Sequence, residues 1–176
     1  MSAPSNPLFA PAIAAEFLAF AGKRLRLSAD DIERCCGLLN EEQMWRRGGE
    51  HENSVANLLL HLAGNLRQWV IHGIAGEPDV RERDEEFTLT ASVTADEALA
   101  RFSATLDACC DVIAGLEPAR LLEVIDPQPG SPWGTPTVLA AIFQVVGHVQ
   151  LHTGQIIVLT KQMLARDLDL SLPRKR

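Results

Sequence analysis

Apolar residues recur at steps of three and four along four stretches of the chain, the period of amphipathic helices, and no stretch shows a convincing strand alternation. The first stretch starts at Ser5-Asn6-Pro7, carries Ile13, Phe17 and Phe20 on one face, and continues toward Ile32, Cys36 and Leu39. Ser28 followed by Asp30 and Asp31 resembles a second helix start, so an interruption is expected near Leu27-Ser28. The connector Arg46 to Glu50 is polar and glycine-bearing. Asn53 or Ser54 then caps a strongly apolar helix from Val55 to about Ile74, with a stripe of Leu58, His61, Asn65 and Trp69.

Gly76-Glu77-Pro78 ends that helix, and the run Arg81-Glu82-Arg83-Asp84-Glu85-Glu86 closes at Phe87. Such a run reads as a solvated loop; folded over the mouth of a bundle instead, it would let Arg83 meet an anionic substrate group. Thr94 and Glu97 form a capping box for a third helix, whose inner face carries Leu99, Phe102, Leu106, Cys109 or Cys110, and Ile113. Between Glu117 and Trp133 prolines and glycines predict a long irregular connection, with a short extended piece at Leu122 to Ile125. Thr135 as N-cap and Pro136 at the first helical position open the last helix. Its seam reads Val138, Ile142, Val145, Val149, His152, Ile156, Leu159 and Met163, with an inner row of His148, His152, Gln155 and Leu159. The expected fold is an all-α four-helix bundle forming a single domain over residues 1–176, with extended tails at 1–5 and 168–176.

At 176 residues the chain can bury a sizeable core without a metal or disulfide staple, so a metal here would be functional. A net charge of −7 with interspersed signs argues against a nucleic-acid surface. The cysteines fall in two adjacent pairs, Cys35-Cys36 and Cys109-Cys110, a spacing that fits buried apolar positions better than metal or redox chemistry. With no secretory leader and no uninterrupted apolar run of about 18 residues, the expectation is a soluble cytoplasmic protein without a membrane span.

Chemistry concentrates in Gly147 to Gln155, G-H-V-Q-L-H-T-G-Q. Residues four apart on a helix stand one above the other, so His148 and His152 can point into one small volume and hold one ion. A three-histidine site with open positions for water or substrate needs a third imidazole. His61 lies on the inner stripe of the second helix. His72 is close to the same face but about 16 Å further along the axis, so only one of the two can join; His51 precedes the helix as a connector residue. Asn65 and Gln155, each about a turn from a proposed ligand, are candidates for orienting water or substrate. Three imidazoles leave the charge of a divalent ion uncompensated, which acidifies a bound water or thiol. Zinc is the default for nitrogen ligands, with nickel, iron or manganese as alternatives. Spacings for zincin, carboxylate-bridged di-iron, serine-hydrolase and phosphate-loop chemistry are all missing.

H-L-A-G-N at His61, H-V-Q-L-H-T-G-Q-I at His148, R-E-R-D-E-E-F at Arg81 and L-S-L-P-R at Leu170 together resemble the DinB/YfiT-like metalloenzyme superfamily, in particular an uncharacterised bacterial subfamily. The resemblance implies a four-helix bundle, commonly a homodimer, with a divalent ion on His61, His148 and His152. The superfamily includes thiol-dependent S-transferases and a mycothiol-dependent isomerase, while the subfamily has no assigned reaction. The three-histidine constellation gives the expectation of a metal-dependent enzyme, a thiol S-transferase or hydrolase acting on a small molecule, with a low-molecular-weight thiol as a candidate co-substrate. The alternative is a non-catalytic metal- or ligand-binding stress-response bundle. Many relatives read H-x-x-Y-H; here Leu151 precedes His152 and the chain has no tyrosine, so no role for that tyrosine carries over.

Overall fold

A computed structural model describes residues 9–88, 92–132 and 134–170. Ser5-Asn6-Pro7, the 1–5 tail, Trp133 and the Ser171 to Arg176 end lie outside the described residues. The elements are α1 (Phe9–Cys36), α2 (Glu41–Trp45), α3 (Val55–Leu66) extended by a π-helical segment (Arg67–His72), α4 (Glu85–Thr88), α5 (Ala95–Ala114), a 3₁₀ turn (Pro118–Leu122) and α6 (Val138–Leu164). α1 and α3 each pack against both α5 and α6, so the order round the bundle is α1, α5, α3, α6. Phe102, Leu25, Ile32, Leu58, Leu62, Ile142 and Ile156 fill the shared core and are fully buried.

Capping follows local chemistry. The Ser54 hydroxyl accepts from the Asn57 N–H to open α3, and Thr94 accepts from the Glu97 N–H to open α5. α6, however, begins two residues later than Thr135-Pro136 predicts: Thr137 is its N-cap. The Pro136 carbonyl accepts from Ile125 N–H and Val138 N–H donates to the Glu123 carbonyl, each at 2.9 Å. This isolated antiparallel bridge between Val124 and Thr137 keeps the backbone extended until Thr137.

Four further expectations change. α1 runs unbroken through Ser28, which is buried in the core beside Leu25, Ala29 and Ile32; packing outweighs its capping preference. The inner face of α1 is Ala14, Leu18, Ala21 and Leu25, which leaves Ile13 and Phe20 more than half exposed, at 54% and 55%. On α6 the seam passes from Val149 through Thr153, Ile156 and Thr160 instead of His152 and Leu159. Both threonines fit an apolar core because their hydroxyls donate to the Val149 and Ile156 carbonyls, at 2.7 and 2.8 Å. His148 and His152 consequently stand beside the seam, half-buried, on the flank facing α3. Past α6, Leu168 is buried and the Asp169 carbonyl accepts from Arg34, so the chain is docked this far and not an extended tail.

Candidate metal centre

α3 and α6 lie side by side, and their facing flanks bring His61, His148 and His152 together. One ring nitrogen from each lies within 4.8 Å of the others. His61 Nε2 and His148 Nε2 are 2.9 Å apart, and the three rings meet edge to face with centroids 4.5 to 5.0 Å apart. His72 is not part of the group: it sits on the π-helical segment with Nδ1 2.6 Å from the Glu77 carbonyl. His51 is exposed on the connector.

The remaining ring nitrogens decide which atoms are free to ligate. His61 Nδ1 lies 2.8 Å from Glu86 Oε2, and both side chains are more than nine-tenths buried. An ionised carboxylate only accepts, so His61 carries a proton on Nδ1 toward Glu86 and, as the neutral imidazole, turns a bare Nε2 toward its neighbours; Arg81 Nη2 makes a further contact to the same Nδ1 at 3.3 Å. His152 Nδ1 lies 2.6 Å from Gln155 Oε1, which frees Nε2 on that ring too. Burial, followed by the charges of His152 and His61, pushes His148 down to about 4, so it is neutral near pH 7. Burial likewise lowers His152, more than the Gln155 hydrogen bond raises it. Neutral imidazoles with oriented second nitrogens are what a metal requires. Tetrahedral nitrogen ligands of one zinc stand about 3.3 Å apart; His61 Nε2 and His148 Nε2, at 2.9 Å, are somewhat closer than that, and all three ligand atoms lie within 4.8 Å of one another.

A charged strap closes the site from outside. Burial pushes Glu86 up, but hydrogen bonds and charge from Arg81 and His61 outweigh it and hold the carboxyl below its usual range. Arg81 grips that carboxylate with both arms, Nε to Oε1 at 2.7 Å and Nη2 to Oε2 at 2.9 Å. Its Nη1 donates to Gln68 on the π-helical segment, and Gln68 in turn bonds Asp79 and Gln128, tying the strap to the connection before α6. The Asn57 amide donates to the Glu86 carbonyl, and Arg47 donates to the Phe87 carbonyl. The Phe87 ring then covers His61 with centroids 5.0 Å apart.

The run at Arg81 to Phe87 is therefore folded over the site, with Arg81 and Glu86 turned inward. Arg83 is exposed, its guanidinium 5.5 Å above the outer side of the Phe87 ring. Spacing rules do not single out Glu86 because they rank a charge run as solvated; the apolar Phe87 closing the run is the one sign that its end turns inward. Asn65 is buried one turn after His61, and its Oδ1 has no hydrogen-bond partner among the described residues. Beyond Gln155 opens a groove of about 580 Å³, with a floor of Leu58, Leu151 and Leu159 and polar walls of His51, Glu52 and Gln162.

The helical architecture is similar to that of a DinB-like bundle. Residues 12–176 match the family described as "Protein of unknown function (DUF1572)", and the chain belongs to that family. The crystal structure of a DinB-like protein of Bacillus subtilis, YjoA, is similar in fold, with a TM-score of 0.60 at 12% identity. The match covers 86% of this chain and 94% of that one. No curated protein matches the sequence.

Proposed function

We infer that the protein binds one divalent metal ion through Nε2 of His61, His148 and His152 and uses it as a DinB-like metal-dependent enzyme, for thiol transfer to an electrophile or for hydrolysis. The observation that carries this reading is the convergence of three imidazoles whose outward nitrogens are engaged by Glu86 and Gln155 or, at His148, whose proton is lost well below neutrality. A bound ion would supply Lewis acidity, lowering the pKa of a coordinated water or thiol; zinc is the first choice, with nickel, iron and manganese behind it. The chain's own residues orient the ligands, exclude water on the strap side and leave approach from the groove beyond Gln155. That groove suits a small molecule with an apolar body and a polar end, since its floor is aliphatic and its walls carry Glu52, Gln155 and Gln162.

A metal titration tests this directly. His148→Ala should abolish uptake of zinc while the helical circular dichroism stays near wild type; uptake that survives the substitution rejects the assignment. A non-catalytic binding bundle is separated by turnover: metal-loaded protein that converts no thiol–electrophile pair or activated ester, yet binds a small ligand reversibly, belongs to that class.

The same reading takes the protein as cytoplasmic and homodimeric. All four cysteines are free and buried, and burial pushes Cys36 and Cys109 up to about 12, thiols suited to a reducing compartment and not to redox chemistry. Support for a second copy comes from α6. From Val138 to Thr160 it has no Asp, Glu, Lys or Arg, and its outward row is Phe143, Gly147, Leu151, Gly154 and Val158. Phe143 and Leu151 are 73% and 60% exposed, and nothing lies within 4 Å of where a Cβ would stand on either glycine. Among the described residues α6 alone has the length and hydropathy to cross a membrane, yet its inner flank packs in the bundle and holds two of the histidines.

A further inference from the structure

Glu86 does more than cover the site. His61 is the only one of the three histidines held by an ionised, buried partner, and that partner is itself fixed from two sides. Arg81 takes both carboxylate oxygens, and its own side chain is 3% exposed, so the pair is shielded from solvent screening. On the other side the carboxylate rests on Gly64, three residues after His61 on α3. A Cβ at Gly64 would stand 2.0 Å from Glu86 Oε1, 2.9 Å from its carboxyl carbon and 3.2 Å from Arg81 Nε. The missing side chain is the space in which the Glu86–Arg81 pair sits. Backbone ties from Asn57 and Arg47 hold the same strap from below.

We propose that Glu86, braced by Arg81 and housed over Gly64, is a positioning residue that sets the Nδ1–H tautomer of His61, aims its bare Nε2 at His148, and thereby makes the strap from Arg81 to Phe87 part of the metal site. The proposal rests on the three-histidine reading above, but its tautomer arm does not. A buried carboxylate acceptor selects the Nδ1–H form; without it, water and the neighbouring imidazole leave both tautomers open. Raising the basicity of a ligating histidine through such a partner commonly changes metal affinity by about 10- to 100-fold. Glu86→Gln keeps an oxygen acceptor and loses the charge, Glu86→Ala loses both, and Gly64→Ala displaces the carboxylate while leaving it in the chain.

Two measurements test this on the full-length protein. Zinc affinity by chelator competition should fall about 10- to 100-fold in Glu86→Ala and in Gly64→Ala, and by less in Glu86→Gln. In metal-free protein, long-range ¹H–¹⁵N correlation of the histidine rings should show His61 as the Nδ1–H tautomer, moving toward Nε2–H in Glu86→Ala and staying Nδ1–H in Glu86→Gln. Wild-type zinc affinity in folded Glu86→Ala and Gly64→Ala overturns the proposal, as does a wild-type His61 protonated on Nε2. Wild-type protein that takes up no zinc while showing the Nδ1–H tautomer overturns the metal reading and the strap's place in a metal site, and leaves the tautomer assignment standing. Should Gly64→Ala fail to fold, Glu86→Ala and Glu86→Gln carry both measurements.

Discussion

Single side chains in this bundle are tuned by their surroundings more than by their type. His148 has its proton affinity pushed down to about 4 from an ordinary 6.5, by burial first and by His152 and His61 next. Between those values the unfolded chain binds the proton and the folded chain does not, so the stability of metal-free protein must fall as pH drops from about 6.5 to about 4 and lose nothing more from this group below that. Glu86 works in the adjacent window: its lowered pKa contributes stability above about 4.5, which is lost as pH falls further. Urea midpoints of chelator-treated protein measured from pH 7.5 to 4 should decline from about 6.5 downward, and His148→Ala should flatten the upper part of that decline. Midpoints that stay constant from pH 7 to 5 in the wild type would show that His148 is not held neutral by its burial. Asn65 is the other residue shaped by place: its buried amide oxygen has no partner among the described residues, which costs about 1–3 kcal/mol unless a donor from outside the chain meets it.

At the level of elements, sequence periodicity locates the four long helices because each carries an apolar stripe and three of them have hydroxyl N-caps, but it does not choose between competing stripes. α1 has apolar residues on two faces; Ala14, Leu18 and Leu25 win the core because small and branched residues there let α5 and α6 approach, while Ile13 and Phe20 stay outside. On α6 a threonine row and a histidine row run one residue apart, and the threonines take the seam because each can return its hydroxyl to the preceding turn. The delayed start of α6 depends on a long-range bridge to Val124 that no local rule contains. Of the candidate site, the two histidines four apart were legible from helical geometry, and the inner stripe of α3 pointed to His61. Glu86 and Arg81 were not legible, since their partners lie on α3 and the strap reaches the site only through tertiary packing. The π-helical segment was likewise invisible. It places Gln68 where Arg81, Asp79 and Gln128 converge, so the widened turn and the strap form one polar junction.

Across the whole molecule the three-histidine cluster and the apolar outer face share one helix. The face of α6 from Leu139 to Val158 is about 30 Å long, and α1 runs beside it with Ile13, Phe20 and Leu27 also exposed. Two helix widths over that length give about 600 Å², near the roughly 800 Å² per partner of a stable interface. A second copy seated there would wall the groove that passes Leu151, Gly154 and Val158. Sedimentation velocity should therefore report a dimer that Phe143→Glu and Leu151→Asp convert to monomer with the helical signal intact; a monomeric wild type at tens of micromolar would remove the second copy from this picture.

The three-histidine site is tested most directly by the metal content of protein purified without a histidine tag. Elemental analysis should find close to one equivalent of a divalent metal per chain, or one equivalent of zinc taken up after chelator treatment, and none in the His61→Ala, His148→Ala, His152→Ala variant. A wild-type protein that is purified metal-free and takes up no zinc, nickel, iron or manganese would contradict it.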